Sequence, residues 1–163
     1  MTPTLRICFV CLGNIVRSPL AENLFIHLAD EAGVVEKYEV DSAGTDAYHL
    51  GESPDARMRR VAASYGCRYD GRARQFTKHD LDHFDLIIAM DLENVMALEA
   101  FVKTTQQRSK IHLLREFDQQ GYQDAIVPDP YYGGINGFKE TYQIIERSVR
   151  GLMKTLEERN QQF

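Results

Sequence analysis

Apolar residues fall along this chain in short runs, and the runs alternate with stretches in which apolar positions recur every three or four residues. That is the pattern of strands alternating with amphipathic helices. Leu5–Val10 forms the first run, and Leu20, Leu24, Ile26 and Leu28 mark the following helix, which begins near Ser18 and stops at Gly33. Tyr38–Ser42 is a short second strand. The segment Ala43–Glu52, rich in turn formers, reads as a loop. Ser53 followed by Pro54 resembles an N-cap and a first helical position, for a helix running to about Tyr65 with Gly66 as its stop. Thr77-Lys78-His79-Asp80 opens a short helix reaching His83. Leu86–Met90 is a continuous apolar run, as expected of a parallel strand covered on both faces. A helix over Asp91–Phe101, a fourth strand at Lys110–Leu114 and a loop through Gly121 to Gly137 follow. The last helix runs from Phe138 to about Arg159, with Phe138, Tyr142, Ile145, Val149, Leu152 and Leu156 near one face.

Four strands separated by helices imply right-handed crossovers and an α/β three-layer sandwich around a parallel sheet. Ligands of such sheets bind at the carboxyl ends of the strands. The first strand ends there in Cys11-Leu12-Gly13-Asn14-Ile15-Val16-Arg17-Ser18 and passes straight into a helix. A tight loop between a strand and a helix N-terminus gathers backbone amides into an anion site. Gly13 lets the backbone approach that anion, and Asn14 tolerates a left-handed turn. The Arg17 guanidinium offers two parallel N–H donors that match two phosphoryl oxygens. Arg17, the loop amides and the Ser18 hydroxyl are all placed to stabilise a Cys11 thiolate. A Cys-x5-Arg spacing alone fits equally a buried structural cysteine with an unrelated arginine; its place between strand and helix favours a thiolate beneath a bound phosphate.

Composition narrows the class further. With 163 residues the chain suits one domain, residues 1–163, and a net charge of -5 leaves no electrostatic surplus for nucleic acid. Met1–Arg6 lacks a charged leader followed by a long apolar region, and no run approaches the ~18 residues that span a bilayer, so a cytoplasmic protein without membrane contact is expected. Three cysteines form neither a disulfide framework nor a zinc pattern. His79 and His83 lie one helical turn apart and read as a surface pair, and Arg57, Arg59, Arg60, Arg72 and Arg74 read as solvated charges.

The stretch Val10–Pro19 resembles the signature of the low-molecular-weight protein tyrosine phosphatases at nearly every position, and Asp129-Pro130-Tyr131-Tyr132 resembles their acid loop. Asp41-Ser42-Ala43-Gly44, Ser53-Pro54-Asp55, Ala73-Arg74-Gln75 and Met90-Asp91 match further family landmarks in order. The resemblance implies a strand order of 2-1-3-4, with the phosphate-binding loop after strand 1. It implies hydrolysis of phosphotyrosine in proteins, with Cys11 as nucleophile, Arg17 as phosphate clamp and Asp129 as general acid and then base. Leu12, Gly13, Asn14, Ile15, Val16 and Ser18 would bind substrate, with Tyr48, Tyr131 and Tyr132 walling a slot for an aromatic ring. Asn14, Ser18 and Ser42 would support the loop by hydrogen bonds. No metal or cofactor is expected, since phosphoryl transfer through a thiolate requires none. Expected partners are phosphotyrosine-containing proteins, with a cognate tyrosine kinase as a further candidate. Arsenate reductases of this fold need two further cysteines beyond the loop, and only Cys67 is present. A phosphoarginine-specific relative typically carries threonine where this chain has Ile15, so an aryl substrate is preferred.

Family members commonly carry a second cysteine before the loop arginine, where this chain has Val16. Cys8 does not replace it, because three residues of strand hold its Cα about 10 Å from that of Cys11. Peroxide should therefore drive Cys11 to over-oxidised or mixed-disulfide forms, and a Cys8–Cys11 bridge found by mass spectrometry would contradict this.

Overall fold

A computed structural model describes residues 3–160; residues 1–2 and 161–163, the ends of the expected domain, lie outside the described residues. Four strands, β1 (Leu5–Cys11), β2 (Tyr38–Gly44), β3 (Leu86–Ala89) and β4 (Ile111–Leu113), form one parallel sheet in the order β2-β1-β3-β4, as expected. Among the described residues six α-helices accompany it: α1 (Arg17–Glu31), α2 (Ala56–Ser64), α3 (Lys78–His83), α4 (Leu92–Glu99), α5 (Thr105–Arg108) and α6 (Ile135–Asn160). Among the described residues no helix is long and apolar enough to cross a membrane.

Alternation along β1 divides the core between two faces. Ile7, Phe9 and Cys11 pack with Leu24 and Phe25 of α1 and with Val149 and Leu152 of α6. Cys8 and Val10 face the opposite layer, with Leu81 of α3 and Leu98 of α4. Cys8 and Cys11 thus lie on opposite sides of the sheet, and burial raises the Cys8 thiol well above its usual range. Every residue of the expected α6 stripe, from Phe138 to Leu156, is buried.

Several boundaries differ from the sequence expectation. β2 continues through Ala43 to Gly44, because parallel pairing carries on to the Cys11–Gly44 register at the head of the phosphate loop. α2 is capped by Asp55 instead of Ser53: the Asp55 carboxylate accepts from Arg57 N–H at 2.8 Å, while its own N–H is spent on the Ile15 carbonyl at 2.7 Å. Residues 53–55 therefore stay outside the helix, and Asp55 holds the loop. α6 starts at Ile135, about one turn before Phe138, and the short α5 carries no apolar periodicity to reveal it. The short 3-10 turn at Leu114–Phe117 is anchored to α6 by Asp118, which accepts from Arg147 at 2.6 Å and from Arg115 at 3.0 Å. Burial alone would raise the Asp118 carboxyl, but Arg147, the Gln120 N–H and Arg115 outweigh it and bring it down to about 2.

α6 meets this turn at Gly151, where an added Cβ would fall 1.9 Å from the Phe117 carbonyl oxygen. Backbone on both sides leaves nothing free to move aside. Gly151→Ala should therefore lower unfolding free energy by about 2–3 kcal/mol, the cost of overpacking a fitted contact. In urea titrations Gly134→Ala, with nothing within 4 Å, should stay within about 1 kcal/mol.

Candidate active site

The loop after β1 is held from outside by its carbonyls. Those of Cys11, Leu12 and Ile15 accept from the N–H groups of Thr45, Asp46 and Asp55 at 2.9, 2.9 and 2.7 Å. With these acceptors turned toward neighbouring elements, the Asn14 N–H donates inward to Cys11 Sγ at 3.3 Å. Asn14 adopts φ 57°, the left-handed conformation that its residue type tolerates. Its buried side chain ties the loop together: Nδ2 donates to Ser18 Oγ at 2.8 Å and Ser42 Oγ at 2.9 Å, and Oδ1 accepts from Arg74 N–H at 2.9 Å. Ser18 Oγ in turn lies 3.0 Å from Cys11 Sγ. The three expected support residues thus share one hydrogen-bonded cluster.

Arg17 opens α1 and is only 2% exposed. A buried guanidinium is tolerable only when paired. Nη1 donates to Asp91 Oδ2 at 2.6 Å and to the Val127 carbonyl at 3.0 Å, while Nη2 reaches Asp129 Oδ2 at 3.5 Å. Burial works against its charge, but Cys11, Asp91 and Asp129 outweigh that and leave its pKa raised. Asp91 stands just beyond β3 and caps α4 through the Asn94 N–H at 2.8 Å, so one carboxylate serves both helix and arginine.

The acid loop is bound to the same strand ends. Val127 N–H donates to the Met90 carbonyl at 2.8 Å, and Tyr131 N–H donates to Asp129 Oδ1 at 3.1 Å. Cys11, Arg17 and Asp129 line one cleft. Leu12, Gly13, Ile15, Val16, Tyr48, Tyr131 and Tyr132 also line it, whereas Asn14 and Ser18, expected to bind substrate, do not. Ile15 and Val16 are buried, whereas Leu12, Tyr48 and Tyr132 are exposed at the rim. Tyr131 and Tyr132 meet edge to face at 4.9 Å between centroids. Asn14, Ser18 and Ser42 stand behind the loop rather than in the cleft.

Sequence reasoning overlooked five contributors. His49 also lines the cleft and packs on Tyr131 at 5.7 Å, so close to Gly13 that a Cβ there would come within 2.9 Å of the imidazole. Its signal was its position directly after Tyr48. In the sequence Asp91 marks only a helix start and a family landmark, although it follows β3 at the same sheet end as Cys11. Arg57, expected to be solvated, pairs with Asp55 and lies over the rings of Tyr131 and Phe138 at 5.3 and 4.4 Å. Arg74 is likewise no free charge: it bonds Asp41 at 2.9 Å and Asp80 at 3.0 Å. The fifth is Glu22, which accepts from Ser42 Oγ at 2.5 Å; an isolated acidic residue on a helix gave no signal. His79 and His83 are both exposed, and His83 pairs with Glu39 at 2.6 Å. Among the described residues no group of three or more His, Cys, Asp and Glu side chains could hold a metal ion.

A family model described as low molecular weight phosphotyrosine protein phosphatase matches residues 6–162. The chain is 41% identical over 156 residues to the low molecular weight protein-tyrosine-phosphatase of Streptomyces coelicolor, covering 95% of each. It is 39% identical over 154 residues to the human low molecular weight phosphotyrosine protein phosphatase, covering 93% of this chain and 95% of that one. A crystal structure of a protein tyrosine phosphatase from Entamoeba histolytica, with Hepes in the active site, shares the fold with a TM-score of 0.90 at 39% identity. That comparison covers 96% of this chain and 99% of the other.

The fork of Arg17 is what lysine lacks. Titration calorimetry with inorganic phosphate should find Arg17→Lys weaker than the wild type by about 10-fold or more, and equal affinities would contradict the clamp.

Proposed function

Because the chain belongs to the low molecular weight phosphotyrosine protein phosphatases, we propose that it hydrolyses phosphotyrosine in proteins through a cysteinyl-phosphate intermediate. Its substrates on this reading are proteins modified by a tyrosine kinase. The observation that carries the reading is the convergence of Cys11, Arg17 and Asp129 on one cleft with aromatic walls. Arg17 receives the phosphoryl oxygens and holds them over Cys11. The Cys11 thiolate attacks phosphorus, forming the S–P bond as the P–O bond to the aryl group breaks. Asp129 gives its proton to the departing phenolate oxygen. In the second half-reaction Asp129 takes a proton from water as the water oxygen attacks phosphorus. The S–P bond then breaks, releasing phosphate and restoring the thiolate.

Tyr48, Tyr131 and Tyr132 support an aryl ester, since flat rings at the mouth favour a ring over an aliphatic chain. Depth adds a second filter: a phosphoserine side chain is too short to bring its phosphorus down to Cys11. A protein that only bound phosphotyrosine would need the clamp, but neither a nucleophile nor an acid.

Turnover of p-nitrophenyl phosphate tests the assignment. Wild type should be active, Asp129→Ala should lose about 10²–10⁴-fold in kcat, and Cys11→Ser should be inactive while still binding phosphotyrosine peptides. Activity surviving in Cys11→Ser would refute the mechanism, and an inactive wild type that binds phosphotyrosine would favour the binder.

A further inference from the structure

Glu22 stands on α1 behind the phosphate loop, away from the cleft, yet a continuous line of hydrogen bonds joins it to Cys11. Glu22 Oε1 is 2.5 Å from Ser42 Oγ, Ser42 Oγ is 2.9 Å from Asn14 Nδ2, Asn14 Nδ2 is 2.8 Å from Ser18 Oγ, and Ser18 Oγ is 3.0 Å from Cys11 Sγ. The orientation of the middle link is forced. Asn14 Oδ1 accepts from the Arg74 backbone N–H, a donor that cannot reverse, so the amide nitrogen must face both serines. Each serine then accepts from Asn14 and keeps one hydrogen to give. Ser18 turns its hydrogen to Cys11, the alternative acceptor being the Ala43 carbonyl at 3.5 Å. Ser42 turns its own to Glu22.

We propose that Glu22 is a positioning residue for phosphoryl transfer, acting on Cys11 through Ser42, Asn14 and Ser18 when its carboxylate is ionised. The inference rests on Cys11 being the nucleophile. An ionised carboxylate only accepts, so Ser42 must donate to it and present its lone pairs to Asn14. A protonated Glu22 brings a hydrogen of its own. The Ser42 hydrogen then faces a neutral carboxyl, whose carbonyl accepts less strongly than a carboxylate and whose O–H competes with the Asn14 amide for the Ser42 lone pairs, which loosens the anchor of a residue held in the left-handed conformation. Ser18, bound to the same amide nitrogen, loses the alignment that aims its hydrogen at sulfur.

The surroundings of Glu22 place this change near neutral pH. Burial raises its carboxyl to about 7, against the lowering effect of the Ser42 bond; Asp41 adds to the rise and Arg74 opposes it. Asp41 comes from β2 and Arg74 from the segment before α3. Asp70 and Arg72 face Glu22 across a small cavity that also borders Asn14 and Ser42. Arg74 is committed to Asp41 and Asp80, and Arg72 to the Ser53 hydroxyl. Ser42 is thus the hydrogen-bond partner that responds when Glu22 changes charge.

Wild type, Glu22→Gln and Glu22→Ala are to be compared from about pH 5.5 to about 8.5 by two readouts. One is the rate of Cys11 alkylation by iodoacetamide, which needs no turnover; the other is kcat and KM for p-nitrophenyl phosphate. Glutamine offers Ser42 the neutral carbonyl and hydrogen-bearing group of a protonated carboxyl and does not titrate, so it mimics the protonated wild type at every pH. Below about pH 6 wild type and Glu22→Gln should agree, and above about pH 8 wild type should run at least about threefold ahead in both alkylation and kcat. Glu22→Ala should lose about 10-fold in kcat at high pH with KM changed less than about twofold. A wild-type to glutamine ratio that stays constant across the range overturns the proposal, as does an alanine variant with wild-type kcat. Absent turnover with pH-dependent alkylation intact would refute the hydrolase reading instead, so the two failures are distinguishable.

Discussion

The structure depends first on how a buried positive charge is compensated. Arg17 is almost wholly removed from water, and breaking a buried ion pair on one side costs about 3–5 kcal/mol. Its partners are therefore obligatory, and they come from two distant parts of the chain: Asp91 beyond β3, and the Val127 carbonyl together with Asp129 in the acid loop. Satisfying one guanidinium thus draws two segments to the end of β1. The same contacts leave Arg17 facing the cleft alongside Cys11 and Asp129. The stability requirement and the proposed chemistry are met by one arrangement.

A second constraint concerns the loop itself. Its carbonyls are bound outward by Thr45, Asp46 and Asp55, and its one left-handed residue is held on both sides of its amide. Such a loop does not need a bound anion to keep its shape. Preorganised donors of this kind stabilise charge without reorganising at the moment of reaction. The network behind the loop also extends through Ser42 to Glu22, a partly buried acid that does not touch the sulfur.

The sequence revealed what is periodic or local. Leu86–Met90 and the Phe138–Leu156 stripe announced a buried strand and an amphipathic helix because burial imposes a period on residue type. Cys11–Ser18 and Asp129–Tyr132 were legible because their chemistry sits within a few consecutive positions. What escaped depends on contacts between residues distant in the chain. Asp55 displaced Ser53 as helix cap because the Ile15 carbonyl claims the Asp55 N–H. Arg74 looked like a solvated charge because Asp41 and Asp80, which bind it, lie on two other elements. Asp91 could be seen as a cap, since capping is local, but not as the partner of Arg17. Glu22 carried no pattern at all, and only the fold reveals what lies beneath it.

The parallel register has one more consequence. Cys11, Gly44 and Asp91 stand at or just beyond the ends of three neighbouring strands, and the pairings Cys11–Gly44 and Val10–Ala89 fix how far each projects. The cleft therefore works as a gauge of strand length. Adding or deleting a residue within β1, β2 or β3 would raise or lower one member of the site by about 3.3 Å relative to the others. Connections entering the strands at the opposite edge, such as 32–37 and 100–110, escape this test. Changes in chain length can accumulate there through descent without moving any member of the cleft.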